Sequence, residues 1–285
     1  MFYVLSVGKE RMLEGGYMQR TFLLGMGAQK AATTWLHHYV MSSERATARP
    51  STDKELNIFN YHRNYIKLTP KKSTPRSLLG RHGRLRTFRK HPSKYFNWLD
   101  QNVEEGGLYS DISPEYCVLD ADHIKSLEES LHKIGFKLKI VFLMREPVDR
   151  CISAFNMHYS QISKNEGNYN LDWNYSRNEN FLRYLRSVSC NTYTDYETVY
   201  NNIKSSGCLH NSFIDGYRAI FCKGRFQDLN DFLSLKPRDS ERKKVVFNGS
   251  QEKILCAYAT DLCRRNYSHV YDFVEKELPH VVEAW

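Results

Sequence analysis

Apolar runs of membrane length are missing from this 285-residue chain. Runs such as Phe22–Leu24 and Ile140–Met144 fall far short of the roughly 20 residues that a spanning helix needs. The first residues, Met1-Phe2-Tyr3-Val4-Leu5-Ser6-Val7, lack the basic flank and long apolar core of a signal peptide. A cytoplasmic protein is therefore expected, with residues 1–17 as a flexible extension ahead of a single domain over 18–285. Cysteine is sparse: seven residues, an odd number without framework spacing, read as reduced thiols rather than disulfides. There is no H-E-x-x-H, no C-x-x-C and no carboxylate triplet with ligand spacing, so no metal centre is expected. Repeats and low-complexity tracts are absent. Acidic residues are missing from one long stretch: between Leu56 and Leu99 stand eleven Lys or Arg and no Asp or Glu. The net charge of +9 is thus concentrated in one basic insertion at about 60–95, within which the cations run from Arg63 to Lys94. Its Pro, Gly and Ser punctuation predicts a loop-rich lid with short helices. A solvated basic loop and a rim that steers anions both fit it. Nucleic acid is not the expected partner, because no nucleic-acid module accompanies the charge.

What is present is an anion cradle. Phe22-Leu23-Leu24-Gly25 is a short apolar run that gives way to Met26-Gly27-Ala28-Gln29-Lys30-Ala31-Ala32-Thr33-Thr34-Trp35-Leu36. Strand, tight turn and helix start follow in that order. The first N–H groups of a helix have no intrahelical partner, and the helix dipole adds positive potential there. Lys30 adds a full charge, and Thr33 and Thr34 add hydroxyls. The triphosphate template G-x-x-x-x-G-K-[ST] is only half met. Gln29 stands where the second Gly belongs, and Ala31 stands where the magnesium-binding hydroxyl belongs. A phosphate or sulfate ester needing less charge neutralisation fits better.

A second segment repeats the logic. The apolar run Lys137–Met144 reads as a buried strand, followed by Arg145-Glu146-Pro147-Val148-Asp149-Arg150-Cys151-Ile152-Ser153. Pro147 suits a first helical turn. Arg145 falls at the strand's carboxyl end and Ser153 about two turns into the helix. In a parallel sheet both can face the crevice where ligands bind, and Arg suits bidentate phosphate contact.

Together the two segments resemble the cofactor motifs of the sulfotransferases that use 3′-phosphoadenosine-5′-phosphosulfate (PAPS). The family's Q-K-x-G-T-T appears as Gln29-Lys30-Ala31-Ala32-Thr33-Thr34. Its R-x-P-x-x-R-x-x-S appears as Arg145 to Ser153. The departure is Ala32 in place of Gly. Because Ala disfavours positive φ, Ala32 is expected to be already helical. The resemblance implies that Gln29, Lys30, Ala31, Ala32, Thr33 and Thr34 hold the 5′-phosphosulfate, and that Arg145 and Ser153 hold the 3′-phosphate. Trp35 matches a Trp that stacks on adenine in some members, although a core role fits it equally.

Asp53-Lys54-Glu55-Leu56-Asn57-Ile58-Phe59 resembles the K-E-x-x-F-F segment of the glycan (heparan-sulfate-type) branch, with Asn60 at the second aromatic position. The resemblance implies that Glu55 takes the acceptor's proton and that Lys30 stabilises the leaving group. The His base of other members has no counterpart; His37 and His38 read as packing or exposed. Tyr109–Tyr116 resembles the branch's G-E-x-S-P-x-Y, with Ser113 and Pro114 also reading as N-cap and first helical residue. Val246–Ser250 resembles a V-N-x-S turn of bacterial members. The implied acceptor is a hydroxyl or amine, most naturally of a saccharide, and the basic rim suits an acidic one. A P-loop kinase and a non-catalytic polyanion binder are the competing readings. Oligomeric state is not legible.

The expected fold is α/β, a three-layer P-loop-like architecture with a central parallel sheet flanked by helices. Expected elements are strand 21–25, helix 31–41, helix 92–102, strand 108–111, helix 114–133, strand 138–145 and helix 147–160. An exposed loop at 160–178 follows. Helices 179–188 and 195–205, strand 213–217, a helix over 226–233, and helices 250–265 and 268–278 complete the chain.

Overall fold

The computed structural model describes residues 19–47, 49–50, 53–60, 81–166, 175–187, 191–236, 257–283 and 285. The proposed extension 1–17, most of the basic insertion and the Val246–Ser250 turn lie outside the described residues.

Four strands form one parallel sheet: β1 (Arg20–Gly25), β2 (Leu108–Ile112), β3 (Phe136–Met144) and β4 (Ser212–Gly216), in the order β2-β1-β3-β4. β1 and β3 occupy the centre, and almost every residue of both is buried. That is why they read as continuous apolar runs: a parallel strand is covered on both faces. The α/β fold with a central parallel sheet flanked by helices is as the sequence predicts.

Helices fill the connections. They are α1 (Thr33–Met41), α2 (Arg81–Lys90), α3 (Pro92–Asn102), α4 (Ala121–Lys133), α5 (Pro147–Glu166) and α6 (Tyr175–Leu185). After them come α7 (Tyr196–Ser205), α8 (Lys223–Leu233), α9 (Ala257–Asn266), α10 (Ser268–Glu277) and the short α11 (Pro279–Val282). α4 shows the physical logic: Ile124, Leu127 and Leu131 recur at helical spacing and are buried, and the helix packs against β3.

The structure corrects three expectations. Helix 31–41 begins at Thr33, because Ala32 takes the left-handed conformation as its N-cap (φ 57°, ψ 20°) instead of being helical. Helix 114–133 is two elements, a 3₁₀ turn over Pro114–Val118 and then α4. Leu119 and Asp120 are extended between them, and the Asp120 carboxylate accepts from His123 N at 2.9 Å as a new N-cap. The exposed loop at 160–178 is partly helical, since α5 runs on to Glu166 and α6 already starts at Tyr175. Polar composition there hid helical periodicity. The stretch read as a loop-rich lid with short helices carries the helix α2 in its described part.

The strand order decides where a ligand can sit. From β1 the chain steps to β2 on one side, then crosses back to β3 on the other. The loops leaving β1 and β3 therefore diverge, and a crevice opens at their carboxyl ends. Both sequence motifs follow these two strands.

Candidate active site

The loop after β1 is pinned to β3 by three backbone hydrogen bonds: Met26 N to Val141 O, Ala28 N to Leu143 O and Leu143 N to Gly27 O. Gly27 (φ 110°) is left-handed, and so are Lys30 (φ 71°) and Ala32 (φ 57°). These turns curl the chain round so that α1 starts with its N-terminus at the crevice. The first α-helical bond is Leu36 N to Ala32 O at 3.0 Å. The N–H groups of Thr33 and Thr34, in the first turn of α1, thus precede the intrahelical ladder. Ala31 and Thr33 are buried, Gln29, Lys30 and Ala32 are partly buried, and Thr34 is exposed.

Arg145 closes the other side. Its Nη1 donates to Lys30 O at 3.2 Å, and its guanidinium lies 5.3 Å from the centre of the Tyr217 ring. Tyr196 fixes the backbone there by donating from its hydroxyl to Arg145 O at 2.7 Å. The neighbouring acids are engaged elsewhere. Glu146 accepts from Asp149 N and from the Tyr271 hydroxyl, and Asp149 pairs with Arg218. Arg145 Nε is buried with no hydrogen-bond partner among the described residues, an orphaned donor on a charged group. Ser153 is partly buried on α5. Met157, one helical turn further on the same face, brings its Sδ to 3.8 Å from Lys30 Nζ. That face of α5 is therefore turned towards the loop.

Lys30 is a cation under pressure. Burial lowers its pKa first, and the charges of Arg145 and Lys54 lower it further. A concentration of positive charge with an orphaned donor is a site prepared for an anion.

The base segment, the stretch over 53–58 in which the sequence suggests a base, meets this loop through Lys54. Lys54 Nζ donates to Thr33 Oγ1 at 3.1 Å and pairs with Glu55 Oε1 at 3.1 Å. The Thr33 oxygen accepts from Lys54, so its own proton is directed elsewhere. The Glu55 side chain remains 39% exposed. Residues 53–58 have no regular secondary structure, yet their backbone is tied from several sides. Arg49 Nη2 donates to Lys54 O at 2.8 Å. Arg89 of α2 donates twice to Leu56 O, at 2.8 and 2.6 Å. Asn57 N donates to Ser113 Oγ, and Ile58 N to the Tyr116 hydroxyl. Beneath these, the buried Asp111 accepts from Ser113 and Tyr116, and burial pushes its carboxyl up to about 6.

Contacts thus chain these residues together: Arg145 reaches Lys30 O, Lys54 joins Thr33 to Glu55, and Ser153 lies on the face of α5 that Met157 turns towards Lys30. Trp35 is buried, stacked on Tyr39 at 5.1 Å with Phe221 at its edge. The core role that the sequence also allowed is the one these contacts describe. Ser113 does not cap with its hydroxyl; it serves the base segment instead. Asn60 turns back on Asn57 at 3.1 Å, while Phe59 packs against Phe22 and Tyr116. His38 is exposed. His37 is buried, receives Arg49 Nη1 at 3.4 Å, and is lowered to about 3 by burial and by Arg49, His38 and Lys54. It is therefore a neutral acceptor at ordinary pH.

Sequence reasoning missed Lys54, Arg49 and Arg89. Lys54 had a signal, its place beside Glu55 in the motif. Arg89 looked like one more cation of a basic stretch, and Arg49 had no local signal at all.

No family model and no curated protein matches the chain. Among solved structures, a sulfotransferase from Alicyclobacillus acidocaldarius superposes with a TM-score of 0.51 at 15% identity, over 91% of this chain and 98% of that one. The sulfotransferase domain of the Synechococcus PCC 7002 olefin synthase gives 0.48 at 14% identity, over 95% and 100%. The shared property is the fold: this chain has the architecture of the sulfotransferases.

Proposed function

We propose that this chain is a PAPS-dependent sulfotransferase that moves a sulfuryl group to an acceptor hydroxyl or amine, with a saccharide as the acceptor class. The observation that carries the proposal is one crevice, at the switch point of the sheet, where a loop–helix anion cradle, a second cationic arm and a carboxylate meet. Lys54 links cradle and carboxylate directly, through Thr33 and Glu55.

The residues present fit a ligand with two separate anionic groups. Lys30, the hydroxyls of Thr33 and Thr34, and the N–H groups of the loop and first turn of α1 would hold the 5′-phosphosulfate. Arg145, with its orphaned Nε, and Ser153 would hold the 3′-phosphate. When bound, the donor supplies the sulfuryl group, and its phosphate is the leaving group.

The chain's own residues do the rest. Lys54 engages Glu55 Oε1 and leaves Oε2 to take the acceptor's proton. A positioned general base contributes about 10²–10⁴-fold. Lys30 and the cradle N–H groups meet negative charge as it develops on the leaving side; such preorganised donors are worth about 3–4 kcal/mol each where measured. Arg49 and Arg89 hold the base segment without touching the reacting atoms, which makes them positioning residues.

Glu55→Ala and Glu55→Gln test the assignment. Transfer of labelled sulfate from PAPS should fall by at least about 100-fold, while binding of 3′-phosphoadenosine-5′-phosphate is retained. Near-normal turnover in both variants would remove Glu55 from the mechanism.

A further inference from the structure

The turn after β2 places a second carboxylate beside Glu55, one that the sulfotransferase reading leaves without a task. Pro114 lies against the anion loop: a Cβ added at Gly27 would come within 3.4 Å of Pro114 O. Glu115 follows Pro114. The residues on its two sides, Ser113 and Tyr116, are those that hold the base segment, by accepting from Asn57 N and Ile58 N. The turn thereby carries Glu115 along the flank of the segment that bears Glu55. Glu115 Oε2 is buried and has no hydrogen-bond partner among the described residues. Burial and the Glu55 charge raise its pKa, so the two carboxylates feel each other. The buried Tyr193, from the segment before α7, also senses the charges of both.

A carboxylate accepts hydrogen bonds and donates none. An acceptor oxygen without a partner among the described residues, on the flank of the proposed base, leaves a hydrogen bond for a donor on an incoming molecule to supply. We infer that Glu115 is the specificity-determining residue of the acceptor pocket, receiving a hydrogen-bond donor, best a protonated amine, that flanks the reacting hydroxyl. An acceptor with a carboxylate or sulfate at that position meets like charge and is rejected. Any anionic part of the acceptor, of the kind the basic insertion would attract, lies away from the reacting group. This inference rests on the proposed function and deepens it.

The test uses three p-nitrophenyl glycosides of one sugar frame: the 2-amino-2-deoxyglucoside, the glucoside and the glucuronide. Labelled-sulfate transfer is measured for the wild-type chain, Glu115→Gln and Glu115→Ala, with KM and kcat separated. Binding of 3′-phosphoadenosine-5′-phosphate is followed by calorimetry in each. The wild type should show KM rising from amine to neutral to carboxylate glycoside. Both variants should cut the amine-over-carboxylate KM ratio by about tenfold, the order expected for a lost charge-selective contact. An unchanged ratio, or an equal loss on all three glycosides, makes Glu115 merely structural and overturns the inference. Wild-type protein that binds the bisphosphate yet sulfates none of the three also overturns it, while the proposed function stands. Failure to bind the bisphosphate at all would overturn the proposed function itself.

Discussion

Ala32 holds a left-handed backbone at the junction between the anion loop and α1. For a residue with a Cβ this conformation costs about 1–2 kcal/mol. The sequence suggested that an Ala here would escape into the helix. The fold refuses, because the chain must turn at this point for the first N–H groups of α1 to face the crevice. Ala32→Gly relieves the strain but also frees the unfolded chain, which offsets about 0.4–1 kcal/mol. The variant should therefore gain about 0.5–1 kcal/mol, read as a higher denaturation midpoint with unchanged slope. A lower midpoint would contradict the strain. Residue types with a defined anion chemistry, Lys30, Thr33 and Arg145, were legible because their spacing along the chain is the motif. His37 and Arg49 were not, since a neutral buried histidine and a carbonyl-binding arginine are defined by neighbours the chain brings together only on folding.

The base segment over 53–58 gains its order from elements distant in sequence. α2 contributes Arg89, the turn after β2 contributes Ser113 and Tyr116, and Arg49 comes from the approach to the segment itself. Irregular backbone that cannot satisfy its own N–H and C=O groups must borrow partners in this way. Arg89→Ala removes both donors to Leu56 O. Positioning losses of this kind are large, so kcat should fall by about 10- to 100-fold, with binding of 3′-phosphoadenosine-5′-phosphate unchanged. A parallel loss of both would mean that α2 supports the whole crevice rather than the base segment. At this scale the strands and most helices were legible from apolar runs and period. The break at Leu119 and Asp120 was not, because one helical period runs across a site where an Asp can cap a new start. Nor was the continuation of α5 through Gln161–Glu166, where polar residues carry no apolar stripe to announce a helix.

The molecule as a whole is organised by the order β2-β1-β3-β4. Alternating strands and helices announce a parallel sheet, but the order of strands depends on which apolar faces meet, and composition is silent on that. The order matters because it makes β1 and β3 neighbours with diverging connections. Lys30 and Arg145, 115 residues apart in sequence, thereby come into contact, with Arg145 Nη1 3.2 Å from Lys30 O. The central claim is that this site holds a nucleotide with two separated anionic ends and not a triphosphate. Calorimetric titration of the full chain with 3′-phosphoadenosine-5′-phosphate and, separately, with ATP, both without added metal, tests it most directly. The bisphosphate should bind tightly, with affinity lost in Lys30→Ala and Arg145→Ala, and ATP should bind far more weakly. Tight binding of ATP with none of the bisphosphate would contradict the claim.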